Sequence, residues 1–90
     1  MIRAKIKVSG FVQGVGFRWF AYKKATGFNL RGFVKNLDNG DVYCEAEGEK
    51  DLIEEFIGEL RKGPTFSKVK DIKVEWLESK EPFNCFEIKE

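Results

Sequence analysis

Residues 2–18 read Ile2-Arg3-Ala4-Lys5-Ile6-Lys7-Val8-Ser9-Gly10-Phe11-Val12-Gln13-Gly14-Val15-Gly16-Phe17-Arg18. Ile2, Ala4, Ile6 and Val8 fall on one side of a period of two and Arg3, Lys5, Lys7 and Ser9 on the other, which predicts a half-buried strand over Ile2–Val12. The run breaks at Gly14 and Gly16. Phe17, Phe20, Ala21, Lys24 and Phe28 then recur at helical spacing, with Gly27 placed to end the helix. A glycine turn between strand and helix can gather several backbone N–H groups toward one point. The helix start adds unpaired donors and the positive end of its dipole. Arg18, in the first turn, can grip two oxygens with its planar guanidinium. These features together suit an oxyanion such as phosphate.

Outward from that stretch, Leu30 to Leu37 reads as a second strand, and Asp38-Asn39-Gly40-Asp41 as a hairpin turn with Asn39 and Gly40 able to take positive φ. Val42, Cys44 and Ala46 alternate with Tyr43, Glu45 and Glu47 along a third strand. A second helix follows Gly48, with acids at its start, Arg61 and Lys62 at its end, and Gly63-Pro64 to stop it. Its stripe of Leu52, Ile53, Phe56, Ile57 and Leu60 is core, while Gly58 costs about 1 kcal/mol relative to alanine unless close packing needs it. A fourth strand over Val69–Leu77 sets Val69, Asp71, Lys73 and Glu75 against Lys70, Ile72, Val74 and Trp76. Phe86 and Ile88 mark a short last strand. The expected fold is α+β, a ferredoxin-like βαββαβ sandwich: an antiparallel sheet with two helices on one face and a short C-terminal fifth strand.

Ninety residues make one small core, so residues 1–90 are expected to form a single domain. No stretch approaches a membrane span and no secretory h-region opens the chain, so the expected location is cytoplasmic, with no membrane partner. The total charge of +1 conceals a polarised chain. Residues 1–37 hold eight Lys and Arg and no acid, whereas residues 38–90 hold all 15 acids against eight bases. No sequence-local carboxylate therefore competes for Arg18. With no histidine and only Cys44 and Cys85, a zinc site and a histidine-dependent triad are excluded, and no metal or other cofactor is expected.

A nucleotide-binding loop needs Gly-Lys-Ser/Thr after the turn, but Gly16 is followed by Phe17-Arg18; a dinucleotide fingerprint needs glycine at position 19, which is Trp19. Arg31-Gly32-Phe33-Val34 superficially echoes an RNA-binding strand motif, with Val34 where a small residue belongs. The closer match is Val12-Gln13-Gly14-Val15-Gly16-Phe17-Arg18, followed by Val34-Lys35-Asn36 and the Asp38-Asn39-Gly40 turn. Together with Gly63-Pro64 and the Phe86-Glu87-Ile88 strand, this resembles the acylphosphatase family over essentially the whole chain.

The resemblance implies metal-independent hydrolysis of acyl phosphates to carboxylate and inorganic phosphate, with phosphate as product and competitive inhibitor. It carries the family's phosphate-gripping arginine onto Arg18 and its water-positioning asparagine onto Asn36. The N–H groups of Gly14, Val15, Gly16, Phe17 and Arg18 would hold the phosphoryl oxygens. Leu37 stands where the family often has Thr or Ser, removing a supporting hydroxyl. The family's sheet order puts the second strand between Cys44 and Cys85, a gap of roughly 9.6 Å that no disulfide spans. Both cysteines are expected buried or half-buried. The rival readings are a non-catalytic phosphate- or acyl-phosphate-binding regulatory domain and an RNA-binding module. A third is the related domain of larger maturation proteins acting on carbamoyl phosphate, which the short chain disfavours. A monomer that binds no nucleic acid is the expectation.

Overall fold

The computed structural model describes residues 1–90. Its elements run β1 (Ile2–Phe11), α1 (Phe17–Gly27), β2 (Arg31–Asn36), β3 (Val42–Gly48), α2 (Lys50–Lys62), β4 (Lys68–Glu78) and β5 (Phe86–Ile88). The five strands form one sheet in the order β4-β1-β3-β2-β5. All neighbours are antiparallel except β5, which lies parallel to β2 in the register Gly32↔Phe86 and Val34↔Ile88. The sheet is therefore mixed rather than purely antiparallel. The ferredoxin-like α+β arrangement is otherwise as expected.

The alternation of β1 does what its chemistry requires. Ala4, Ile6 and Val8 are fully buried and meet Ala46, Cys44 and Val42 across β3. Ile53, Phe56, Ile57 and Leu60 of α2 and Phe17, Ala21 and Ala25 of α1 close the same core from above. Burial pushes the Cys44 thiol pKa well up, which keeps it protonated.

Local details depart from expectation in four places. α1 does end at Gly27, but the left-handed residue that follows it is Asn29 at φ 58°. In the β2–β3 hairpin only Gly40 has positive φ, 98°. Asn39 instead accepts the Asp41 N–H on Oδ1 at 3.0 Å, and Leu37 N–H donates to Asp41 O at 2.8 Å. A bulge in the β1–β4 ladder pairs Ser9 with Asp71 but Gly10 with Val69. Lys70 is the extra residue, and it reverses the strand's phase so that Val69 packs on the same core as Ile72. Cys85 is exposed, and both cysteines are free.

The helix-free face carries the tie that places β5. Arg3 Nη2 donates to Glu47 Oε1 at 3.1 Å and to Glu81 O at 2.8 Å, and the Phe83 N–H donates to the same Glu47 oxygen at 3.1 Å. The Arg3 guanidinium lies 4.1 Å from the Phe83 ring centroid. Glu47, fully buried, thus anchors the segment between β4 and β5 to the sheet. Phe33 on this face lies beneath Phe83 and the Lys89 ammonium, so it offers little open ring surface.

Candidate active site

The turn after β1 takes the conformation its glycines allow. Gly14 and Gly16 have φ of 75° and 77°, and a Cβ on either would meet nothing within 4 Å. Glycine is needed there for the left-handed backbone, and the space beside it is open to a ligand. Gly16 is the N-cap of α1 and has no side-chain cap. The first helical bond runs from Phe20 N–H to Gly16 O at 3.0 Å, leaving the preceding amides ahead of the ladder. No acid stands in the first turn of α1 to offset the positive end of the dipole.

The turn borders a cavity of about 260 Å³. Gly14, Gly16, Phe17 and Arg18 form one side, and Asn36, from the end of β2, reaches it from the sheet. Val12 and Trp19 complete the β1–α1 side, while Ile88 and Glu90 come from β5 and the residues after it. Residues 18 and 36 thus share one cavity. Val15 does not line it: its side chain faces a neighbouring groove, so only its backbone is available to an anion in the cavity. Because Asn39 holds the hairpin turn, the Asn36 side chain is left to face the cavity.

Two positioning contacts and one lining residue of the cavity were not visible in the sequence. Gln13 Nε2 donates to Leu37 O at 2.8 Å and to Asp41 O at 2.9 Å, fastening the glycine turn to the hairpin that bears Asn36. Arg18 Nη1 donates to Lys89 O at 3.2 Å, which orients the guanidinium from the residue just after β5. Glu90 brings a distant carboxylate into a cavity whose sequence neighbourhood has none. A polar residue next to the glycines was the only signal for Gln13; the other two depend on where β5 docks. Nowhere does the fold bring together three or more His, Cys, Asp or Glu side chains that could hold a metal ion. No helix is long and apolar enough to cross a membrane.

The family model for acylphosphatase matches residues 4–88. The chain belongs to the acylphosphatase family. An acylphosphatase from Syntrophotalea carbinolica is 44% identical over 88 residues, covering 98% of this chain and 96% of that one. The crystal structure of the acylphosphatase from Bacillus subtilis superposes with a TM-score of 0.97 at 41% identity over the full length of both chains. The structure of HypF from T. kodakarensis also matches, at 37% identity and a TM-score of 0.87 over 99% of this chain, but only 12% of HypF is involved. The chain is a hydrolase with acylphosphatase function. The glycine turn, Arg18 and Asn36 are accordingly the parts of this acylphosphatase to which its chemistry is assigned below.

Proposed function

We propose that this acylphosphatase cleaves the carboxyl–phosphate bond of acyl phosphates in the cavity between the Gly14–Arg18 turn and Asn36, without a metal. The N–H groups of Gly14, Val15, Gly16, Phe17 and Arg18, with the Arg18 side chain, hold the phosphoryl oxygens. Asn36 Oδ1 accepts a hydrogen bond from a water and directs it in line with the P–O bond to be broken. Water attacks phosphorus, the P–O bond to the acyl group breaks, and a phosphoryl oxygen takes the water's proton. The products are RCOO⁻ and H₂PO₄⁻, so atoms and charge balance. The leaving carboxylate has a conjugate acid of pKa about 4, so it departs without protonation and no general acid is needed. Catalysis then rests on positioning and charge stabilisation, as in other phosphoryl transfers.

The observation that carries this reading is that Arg18 and Asn36, from a helix and a strand, line the same cavity. Metal independence rests on the absence of histidine and of any acid–cysteine cluster with ligand spacing. A monomer suffices because one chain supplies the glycine turn, Arg18 and Asn36. The free thiols favour a reducing, cytoplasmic setting. Residues 1–90 are read as one domain sharing that core.

The test is hydrolysis of benzoyl phosphate in excess EDTA. Wild type turns over and is competitively inhibited by inorganic phosphate. Asn36→Ala keeps the phosphate inhibition constant but loses about 10²–10³ in kcat, the scale for one preorganised polar group. Arg18→Ala weakens phosphate inhibition and slows turnover together. Full kcat in Asn36→Ala, or activity abolished by EDTA, would overturn the assignment.

A further inference from the structure

A second depression, of about 540 Å³, lies against the catalytic cavity and shares Gly16 and Trp19 with it. Val15, Phe20 and Pro64 give it an apolar lining, and Lys23 and Lys24 border it as well. Lys24 is committed to Glu59, its Nζ 3.3 Å from Oε1. Lys23, exposed and without an ion pair, is the cation available to a ligand. Trp19 is 58% exposed, an indole held at the surface and stacked on Tyr22 with ring centroids 5.4 Å apart. Trp19 and Lys23 are four residues apart on α1, so they lie on one face a turn from each other.

Resting on the site assignment above, the direction of attack makes this groove more than a surface feature. In-line displacement requires the entering water and the leaving oxygen on opposite sides of phosphorus. Asn36, Val12 and Ile88 line the catalytic cavity and none of them lines the groove. Gly16 and Trp19 border both depressions, so the groove is the neighbouring space that a carboxylate leaving on the side away from Asn36 can enter. We infer that this groove is the acyl subsite, and that it selects acyl phosphates combining an apolar body with a second negative charge. Trp19 and Val15 cover the apolar body, and the Lys23 ammonium meets the anion about one helical turn further along.

Acetyl, benzoyl and 4-carboxybenzoyl phosphates separate the parts of this inference, since the second adds the apolar ring and the third adds the charge. In wild type, kcat/KM rises along that series. Trp19→Ala lowers the benzoyl-to-acetyl ratio about tenfold, the scale of one lost apolar contact in a binding pocket. Lys23→Gln lowers the 4-carboxybenzoyl-to-benzoyl ratio about threefold, the worth of a partly exposed ion pair. That loss fades as salt is raised. Ratios unchanged in both variants would overturn the subsite. The phosphate inhibition constant and the Asn36→Ala defect, read on acetyl phosphate, report separately on the catalytic cavity. Failure of those controls would point instead to the site assignment.

Discussion

Gln13→Ala tests whether the glycine turn and Asn36 are held as one unit. The substitution removes a single amide donating two hydrogen bonds, at 2.8 Å to Leu37 O and 2.9 Å to Asp41 O. Neither carbonyl is orphaned by the change. Leu37 O still accepts Gly40 N–H at 3.2 Å, and Asp41 O still accepts Leu37 N–H at 2.8 Å. The loss is therefore the net value of two ordinary hydrogen bonds, about 2 kcal/mol, without a burial penalty. In a domain of this size that lowers Tm by about 10 °C. Freed from the hairpin, the turn shifts relative to Asn36 while Arg18 and the amides move together. Hence kcat/KM for benzoyl phosphate at 25 °C falls about tenfold, a fraction of the cost of an ångström-scale misplacement. Inhibition by phosphate, which needs only the turn, changes less. Thermal unfolding by circular dichroism and steady-state kinetics read the two effects. An unchanged kcat/KM alongside a lowered Tm would refute the idea that Gln13 aligns the site.

Gly58→Ala stabilises the protein by about 0.5–1 kcal/mol, seen as a rise in Tm, because the position is exposed inside α2 and an added Cβ meets nothing within 4 Å. A lower Tm would contradict the open environment of that helix face. Glu47→Ala costs about 2 kcal/mol in urea unfolding, since it removes the hydrogen bonds from Arg3 and from the Phe83 amide while Arg3 keeps the Glu45 carboxylate at 3.7 Å and Glu81 O at 2.8 Å. A cost under about 0.5 kcal/mol would show that this tie does not hold the β4–β5 segment. A thiol reagent at pH 8 titrates one cysteine, Cys85, in the native protein and two in denaturant, because Cys44 is buried with its pKa raised. Two fast native thiols would contradict the packing of β3.

The parts of the fold written in local pattern were legible. Alternation at Ile2, Ala4, Ile6 and Val8, the apolar stripe of α2 and the glycines around Val15 each state their structure within a few residues. What escaped was whatever depends on partners far along the chain. The bulge at Lys70 carries no residue-type signal, so the phase of Val69 was misjudged. Gly27 closes α1, yet the hydrogen bonds from Phe28 and Asn29 N–H back into the helix carry the turn on to Asn29, which takes the left-handed conformation. Glu47 looks like any outward strand residue until Arg3 and Phe83 close over it. In the candidate site, Arg18 and Asn36 were legible through the family resemblance. The Lys89 carbonyl and Glu90 were not, because their place follows from β5 pairing parallel to β2.

That pairing also has a kinetic consequence. Of the four strand contacts in the sheet, only β2 with β3 joins neighbours in sequence. The catalytic cavity itself gathers residues from Val12 to Glu90. Contacts of such long range close late, and domains built on them refold in milliseconds to seconds rather than microseconds. Helical signal from α1 and α2 can return with local contacts, while turnover must wait until the three residues of β5 settle against β2. Recovery of turnover in this protein therefore reports the docking of β5 on β2, the contact that completes the cavity.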